Sequence, residues 1–268
     1  SVTFQITDGA DRELFEIDGA TQLRFKAGAA PNFESSTAAG NGQEYVVVVT
    51  ASDGADPANT AIQTITVTIT DANEDAPEFT GGDTATANAA ENQQAVGTYG
   101  AEDDDGTATL TYSIVTSGTD PTSVDHDLFD VAAGGVLTFV SAPDFEDPKC
   151  GAGNDANECV VVIKVTDGEV GTADDTITVT VTVQDVNDED PVFTSSATKT
   201  LEENIQNVMV LTAEDDDAQD TVSFQITGGD DRELFEIDGA TQLRFKANAV
   251  PNFESSTAAG NGQEYVVV

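Results

Sequence analysis

Two acidic stretches have the residue types and spacing most suited to binding a hard cation. Each closes an alternating strand pattern and ends in Pro-x-Phe; they span 71–79 and 185–193, so their first residues lie 114 positions apart. Each offers four or five side-chain oxygen donors before its proline. Calcium binds about six to eight oxygen ligands, mostly from carboxylates and carbonyls. We therefore predict that these stretches are calcium-binding linkers.

The net charge restricts the possible partners. It is −41 at pH 7, and the chain has only nine Lys and Arg. Nucleic acids and anionic membrane surfaces bind to positive patches, so neither is an expected partner. An acidic surface suited to salty water explains many of these residues. It does not explain why the acids recur at the same places in the sequence.

The apolar residues predict a folded protein that does not insert into a membrane. Hydrophobic residues make up 38% of the chain in a regular pattern, which is unlike a disordered acidic tail. No apolar run approaches the roughly 18 residues of a membrane-spanning helix. The sequence begins and ends inside strand patterns, so we expect a segment of a longer protein, with any secretion signal outside it.

Internal repetition predicts the domain organisation. Residues 1–48 and 221–268 differ at only six positions, and the sequence between them aligns more loosely with both. We predict a partial repeat over 1–75, a complete repeat over 76–189 and a partial repeat over 190–268.

The repeats have the texture of β-structure throughout. Residues 64–70 and 176–183 alternate Thr with Ile or Val, which is the pattern of strands with one buried face. Val46–Val49 and Val160–Ile163 are continuous apolar runs typical of central strands. About seven strands in some 110 residues predict an all-β, immunoglobulin-like seven-stranded sandwich. Successive sandwiches would be joined end to end through the calcium-binding linkers.

Four further acidic motifs recur near the ends of predicted strands. Each one alone is readily explained as a turn or a surface acid, but together at one end of a sandwich they would repel strongly without a cation. They are Glu-Asn at 91–92 and 203–204, Ala-Glu-Asp-Asp-Asp at 101–105 and 213–217, Phe-Glu preceded by Asp or Asn at 32–34, 144–146 and 252–254, and Asp-Gly at 53–54 and 167–168.

These motifs, in this order, resemble those of the cadherin repeat over essentially the whole chain. The resemblance implies calcium ions at each junction between repeats, up to three in that family, which turn a flexible string into a stiff rod. The implied ligands of the first junction are Glu34, Asp71, Asn73, Glu74, Asp103, Asp105 and Asp167. Those of the second junction are Glu91, Asp144, Glu146, Asp185, Asn187, Asp188, Asp215 and Asp217.

Departures from the family pattern affect the expected number of ions. Asn32 stands where the family has Asp, and Glu74 replaces the second Asp of its linker motif. The early Glu of the first repeat and the last Asp of the third lie outside the sequence. We expect two calcium ions at the first junction and up to three at the second.

Cys150 and Cys159 are the two cysteines, and they flank a Gly- and Asn-rich loop. No histidine lies near them, which argues against zinc. A local disulfide fits this spacing best and would indicate an oxidising compartment, with free or buried thiols as the alternative.

Neither catalysis nor sugar binding has a strong motif. The single histidine, His126, lies in a turn-like segment, where we expect it to be exposed, and no nucleophile motif accompanies it. Sugar platforms use exposed aromatic rings, but the chain has no Trp and four Tyr, of which we expect Tyr99 alone to be exposed. We therefore predict that the protein is not an enzyme.

The sequence favours an extracellular extender of a long, repetitive adhesin or surface filament that calcium makes rigid. Its acidity favours a microbe from a saline habitat. Unpaired strands at either end favour association with other copies. The alternative is a calcium-dependent carbohydrate-binding module that recognises surface glycans.

Overall fold

The computed structural model describes all residues except 41, 56, 58, 107, 117, 152, 154–155, 170–172, 218–219, 256 and 260–262. Strands account for 39% of the chain and helices for 4%, which confirms the all-β prediction. Residue contacts divide the chain into two compact units. The first comprises Ser1–Ala87, Ala95–Ser141 and Glu158–Val181, and the second comprises Asn88–Gln94, Ala142–Asn157 and Thr182–Val268. The repeat boundaries given above stay predictions.

The first repeat lies wholly within the first unit and forms two sheets. Strand β4 is central in the order β1-β4-β5, as its apolar run predicts, and β2 pairs with β3 in a hairpin. The strands are β1 (Thr3–Asp8), β2 (Phe15–Asp18), β3 (Gln22–Phe25), β4 (Glu44–Ser52) and β5 (Thr60–Thr68).

The second repeat forms a sandwich of a four-stranded sheet, β10-β13-β14-β7, and a three-stranded sheet, β11-β12-β8, with β6 paired to β9. Seven strands in the described part of this repeat have four or more residues, as predicted. They are β7 (Thr84–Ala90), β8 (Ala95–Thr98), β10 (Thr111–Val115), β11 (Phe129–Ala132), β12 (Val136–Phe139), β13 (Glu158–Thr166) and β14 (Asp175–Gln184), beside the short β6 (Glu78–Phe79) and β9 (Ala101–Glu102).

The third repeat lies within the second unit. It has the sheets β16-β19-β18 and β15-β17. Its strands are β15 (Val192–Phe193), β16 (Asn207–Val210), β17 (Ala213–Glu214), β18 (Phe235–Asp238) and β19 (Gln242–Phe245). A 3-10 helix precedes β2, β11 and β18 at Arg12–Leu14, His126–Leu128 and Arg232–Leu234.

The core of the second repeat follows from its strand patterns. In β14, Ile177, Val179 and Val181 are fully buried while the threonines between them are not, which is the two-residue period of a strand with one core face. In β13, the successive residues 161–163 are all buried. Both faces of β13 are therefore covered, as expected for the central strand of its sheet.

The two copies of the duplicated sequence keep the same pairing register where both are present. Thr3–Asp8 forms β1, but the matching residues 223–228 are not assigned as a strand. Residues 3–6 pair with 49–52 of β4, and the printed sequence ends at Val268, the match of Val48. The pairing that remains has the same register, because the Thr227 and Gly228 amides donate to the Val268 carbonyl.

The acidic motifs occupy strand ends, as the sequence predicts. Asp185 directly follows β14, Asp167 directly follows β13, and Asp71 comes three residues after β5. Asp103 and Asp215 directly follow the short strands β9 and β17. Strand ends therefore hold the acidic side chains in defined backbone positions.

Leu137 and Leu23 occupy the same position of equivalent strands and allow a test of this packing. Leu137 is fully buried in β12, whereas Leu23 in β3 is only half-buried. We expect Leu137→Ala to cost about 2–5 kcal/mol of unfolding free energy, and Leu23→Ala distinctly less. Guanidinium denaturation followed by far-UV circular dichroism at fixed calcium concentration measures both. Equal losses would contradict the assignment of the core.

Candidate metal centres

Junction 1, defined as the seven ligands predicted for the first linker, gathers three carboxylates within the first unit. Glu34, Asp71 and Asp105 each place one oxygen within 4.8 Å of the others. Glu34 comes from the loop after β3, Asp71 from the linker after β5, and Asp105 from the turn after β9. Three segments far apart in sequence therefore meet at this cluster.

Several side-chain oxygens of junction 1 are buried and have no hydrogen-bond donor in the described part of the chain. Six of them are shielded from solvent and have no hydrogen-bond partner among the described residues. They are Glu34 Oε1 and Oε2, Asp71 Oδ1, Asn73 Oδ1, Asp103 Oδ2 and Asp105 Oδ1. A buried acceptor without a donor costs about 1–3 kcal/mol, and more when it is charged. Oxygens of this kind fit a hard cation such as calcium.

The backbone holds the other oxygen of two of these aspartates. Asp103 Oδ1 accepts a hydrogen bond from the Asp105 amide at 2.9 Å, and Asp105 Oδ2 accepts one from the Asp75 amide at 2.8 Å. Asp105 is 2% exposed, whereas Asp104 between the two is exposed. Asp103 and Asp105 therefore lie on the covered side of this turn, and Asp104 does not.

Burial and crowding disfavour charge at this junction. Burial raises the pKa of Asp103, and the neighbouring charges of Asp105 and Asp167 raise it further, while the Asp105 amide opposes them. Burial also raises the pKa of Glu74, followed by repulsion from Glu34 and Asp105. A cation among these groups would reverse both effects.

Asp11 and Asp231 are buried aspartates outside the junctions, and both of their oxygens have donors, unlike those of Asp105. Asp11 is 4% exposed and accepts hydrogen bonds from the Ala39 amide at 2.5 Å and the Val46 amide at 2.7 Å. Asp231 repeats this pattern in the third repeat. These carboxylates tie a loop to a central strand, so burial alone does not mark a metal ligand.

Junction 2, the eight ligands predicted for the second linker, contains overlapping clusters within the second unit. Glu146 belongs to two triplets, one with Glu91 and Asp144 and one with Asp185 and Asp217. In each triplet one oxygen of every residue lies within 4.8 Å of the others. Most of the predicted carboxylates of this junction are therefore brought together.

Glu91 and Glu146 have different environments in this junction. Glu91 is 1% exposed and accepts hydrogen bonds from the Phe145 and Val186 amides, each at 2.7 Å. Glu146 Oε1 is buried without a partner among the described residues. Burial, followed by repulsion from Glu91 and other acids, raises the pKa of Glu146 to about 7. A cation beside Glu146 would favour its charged form.

Asp217 repeats the arrangement of Asp105. It accepts hydrogen bonds from the Glu189 amide at 3.1 Å and the Asp188 amide at 3.4 Å, and its own amide donates to Asp215 Oδ1 at 3.1 Å. Both linkers therefore use backbone amides to hold the second Asp of the Asp-x-Asp motif.

Some predicted ligands lie outside these carboxylate triplets. Asp188 Oδ2 accepts a hydrogen bond from Asn92 Nδ2 at 2.6 Å. Asp167 is buried and its Oδ1 accepts the Glu169 amide at 2.9 Å. Of the predicted carboxylate ligands, Glu74, Asp103, Asp167 and Asp188 join none of these triplets among the described residues, while Asn73 and Asn187 would contribute amide oxygens.

Sequence reasoning missed Asp220 and the role of Asn92. Asp220 forms a triplet with Asp215 and Asp217, and its Oδ2 accepts a hydrogen bond from Asn187 Nδ2. Repetition gave no signal for Asp220, because Ala108 occupies the matching position. Asn92 has a φ of 59°, which asparagine tolerates better than most residues.

The histidine and tyrosines lie differently from expectation. His126 is only 18% exposed, and its Nδ1 lies 3.0 Å from the Ser123 carbonyl oxygen, so the prediction that it is exposed was wrong. Tyr99, expected to be exposed, is half-buried, and burial raises its pKa. None of the four tyrosines, all of which the structure describes, is exposed.

Both cysteines are buried and disulfide-bonded. Among the described residues, no helix has the length and apolarity to cross a membrane.

No family model matches the chain. Mouse Protocadherin-15 is 28% identical over 244 residues, which cover 88% of this chain and 11% of that protein. Human Protocadherin Fat 1 is 28% identical over 248 residues, which cover 88% of this chain and 5% of that protein. The chain therefore spans a small part of these relatives.

Solved structures of cadherin domains have the same architecture. Human CDH23 EC21-23 aligns with a TM-score of 0.61 and 16% identity over 91% of this chain and 82% of that one. The Protocadherin GammaB4 extracellular domain aligns with a TM-score of 0.57 and 22% identity over 91% of this chain and 40% of that one. The fold is cadherin-like. This confirms the predicted immunoglobulin-like sandwich.

Asp105 and Asp11 provide a test of the distinction between metal ligand and structural anchor. Asn at position 105 can keep an acceptor for the Asp75 amide and offer a donor to the crowded carboxylates. Both oxygens of Asp11 accept hydrogen bonds from backbone amides, so Asp11→Asn places an NH2 donor opposite another donor. In chelator, we expect Asp11→Asn to cost about 1–3 kcal/mol of unfolding free energy, and Asp105→Asn to cost nothing or to stabilise.

Chemical denaturation in excess chelator measures this difference. Equal destabilisation by the two substitutions would show that Asp105 is a structural anchor like Asp11.

Proposed function

We propose that this chain is a calcium-rigidified extender of a long, repetitive extracellular protein that mediates cell adhesion. The observation that supports it most directly is the set of buried carboxylate oxygens without donors at the first predicted linker. The cadherin-like fold independently supports an extracellular adhesion segment.

Each junction draws its acids from both sides of a predicted repeat boundary. Glu34 and Asp71 precede the boundary at 75/76, and Asp105 follows it. Glu146 and Asp185 precede the boundary at 189/190, and Asp217 follows it. A cation bound by either set would link the end of one repeat to the start of the next, which restricts the hinge.

Calcium is the cation that best matches the donor set. The candidate ligand atoms are oxygens from carboxylates and amides, which calcium prefers. Extracellular calcium modules have dissociation constants of about 10⁻⁴–10⁻³ M. The residues that would hold it are the ligands predicted above, joined by Asp220 at junction 2. We retain two ions for junction 1 and up to three for junction 2.

The chain is extracellular or at the cell surface, and its own composition supports a narrower setting. A net charge of −41 fits a saline exterior, where cations screen the acids and fill the junctions, so we propose a microbial surface adhesin or filament. Self-association is a further proposal. It is supported by the cis-dimer of Protocadherin gammaB7 EC3-6, a structure that aligns over 94% of this chain.

Glycan binding has less support than an extender role. The tyrosines that would build an aromatic sugar platform are buried or half-buried. A calcium-dependent glycan array remains the direct test of this alternative.

Calcium should stabilise and stiffen the chain. Calcium at about 10 mM is roughly 10–100 times the dissociation constants of extracellular calcium modules, which stabilises the folded state by about 1.4–2.7 kcal/mol per site. We therefore expect the melting temperature to rise in millimolar calcium and to fall in chelator. Small-angle scattering should show a longer, stiffer particle with calcium than without it.

Sodium chloride at matched ionic strength separates charge screening from binding. If it reproduces the full calcium effect, or if the scattering profile is the same in chelator, the proposed calcium rigidification is wrong.

Replacement of Asp188 and Asp217 by Ala should uncouple the second and third repeats while both stay folded. We expect the double variant to lose the calcium ions of junction 2 and to keep those of junction 1. Native mass spectrometry counts the ions. The matched control replaces Asp190 and Asp216, two exposed acids in the same segments, by Ala. An unchanged ion count in the Asp188/Asp217 variant would contradict the assignment of junction 2.

A further inference from the structure

Gln43 contacts both segments that bring acids to junction 1 from the first repeat. Its Nε2 donates to the Phe33 carbonyl oxygen at 2.6 Å, and Phe33 directly precedes Glu34. The main-chain carbonyl oxygen of Gln43 accepts a hydrogen bond from the Ile69 amide at 2.9 Å, and Ile69 lies two residues before Asp71. One residue therefore connects the Glu34 loop to the end of β5.

Asn157 makes the same two contacts in the second repeat. Its Nδ2 donates to the Phe145 carbonyl oxygen at 2.8 Å, directly before Glu146. The main-chain carbonyl oxygen of Asn157 accepts a hydrogen bond from the Val183 amide at 2.8 Å, and Val183 lies two residues before Asp185. Gln and Asn differ in length and the loops before them differ in sequence, yet the pair of contacts is kept.

Both residues adjoin an inner strand of a sheet. Gln43 directly precedes the central strand β4, and Asn157 directly precedes the central strand β13. Two residues further on, Tyr45 is fully buried, and its hydroxyl oxygen accepts the Thr37 amide at 3.2 Å. The matching residue in the second repeat is the buried, disulfide-bonded Cys159. In both repeats the residue that makes the two contacts therefore lies two positions before a buried side chain.

We propose that Gln43 and Asn157 are positioning residues that set the separation of the junction carboxylates. Gln43 acts on Glu34 and Asp71, and Asn157 acts on Glu146 and Asp185. This inference rests on the proposed calcium binding.

The bonds from Ile69 and Val183 are main-chain bonds that a substitution keeps, so the side-chain amide supplies the residue-specific part. Because like charges at this spacing repel, the loop that carries Glu34 or Glu146 moves away from the linker acids when the side-chain hydrogen bond is lost. Partners that orient metal ligands in this way typically change metal affinity by about 10–100-fold.

The third repeat supplies a matched control. Gln263 donates to the Phe253 carbonyl oxygen at 2.9 Å, the same bond in nearly the same sequence. The printed sequence ends before any counterpart of Asp71, and Glu254 joins no carboxylate cluster among the described residues. Gln263→Met therefore removes the equivalent hydrogen bond where there is no site to position.

The test compares Gln43→Met with Gln263→Met. Both start from a chain in which Asp185→Asn and Asp217→Asn silence junction 2, and isothermal titration calorimetry measures calcium affinity. We expect Gln43→Met to lower the affinity of junction 1 about tenfold or more, and Gln263→Met to leave it unchanged. Equal affinities, or equal losses in both variants, overturn the inference. Far-UV circular dichroism checks that each variant is folded.

The reciprocal measurement decides the matter if Gln43→Met does not fold or if junction 1 alone binds too weakly. Asp71→Asn and Asp105→Asn then silence junction 1, and Asn157→Leu is compared with Asn157→Gln, which keeps the donor. We expect Asn157→Leu to lose about tenfold or more in affinity and Asn157→Gln to recover most of it. Equal affinities overturn the inference. Absence of calcium binding by the unaltered chain instead overturns the proposed function.

Discussion

The crowding of carboxylates is the constraint on which both junctions depend, and at junction 1 several of them also have a buried oxygen without a hydrogen-bond donor among the described residues. Asp11 and Asp105 are similarly buried, but backbone amides contact both oxygens of Asp11 and only one oxygen of Asp105. A folded chain rarely leaves charged acceptors unmet, because each such group loses its hydration without compensation. At junction 1 several such groups face one another, and at junction 2 Glu146 is in the same situation, so the compensation has to come from a cation or from partial neutralisation.

The backbone has already done much of the organisation that a cation would require. The Asp75 and Glu189 amides, both in the linkers, hold Asp105 and Asp217, and the Phe145 and Val186 amides hold Glu91. Ligands fixed in advance lose less conformational freedom when a cation binds. Each linker thus has two functions in this proposal. Its side chains are candidate ligands, and its backbone amides orient an aspartate of the following repeat.

Much of the fold and many of the clustered acids could be predicted because they follow periodic rules. The alternation in β14 defined a core face, and acids at equivalent repeat positions indicated Glu34, Asp71 and Asp105. Asp220 could not be found in this way, since Ala108 breaks the repetition. The contact between Gln43 and Ile69 depends on how the chain after β5 is placed beside the start of β4. No local sequence pattern encodes a contact between residues so far apart.

The near-duplicate repeats show which properties belong to the sequence and which to its neighbours. Strands β3 and β19 both read Gln-Leu-Arg-Phe, and β19, which pairs with β16 as well as with β18, is the more buried of the two. Burial therefore differs between the two copies. The bond from Gln43 to Phe33 does not, since Gln263 forms it with Phe253 in the other copy. A bond that forms with or without the junction acids belongs to the fold itself, so the fold positions Glu34 before any cation arrives.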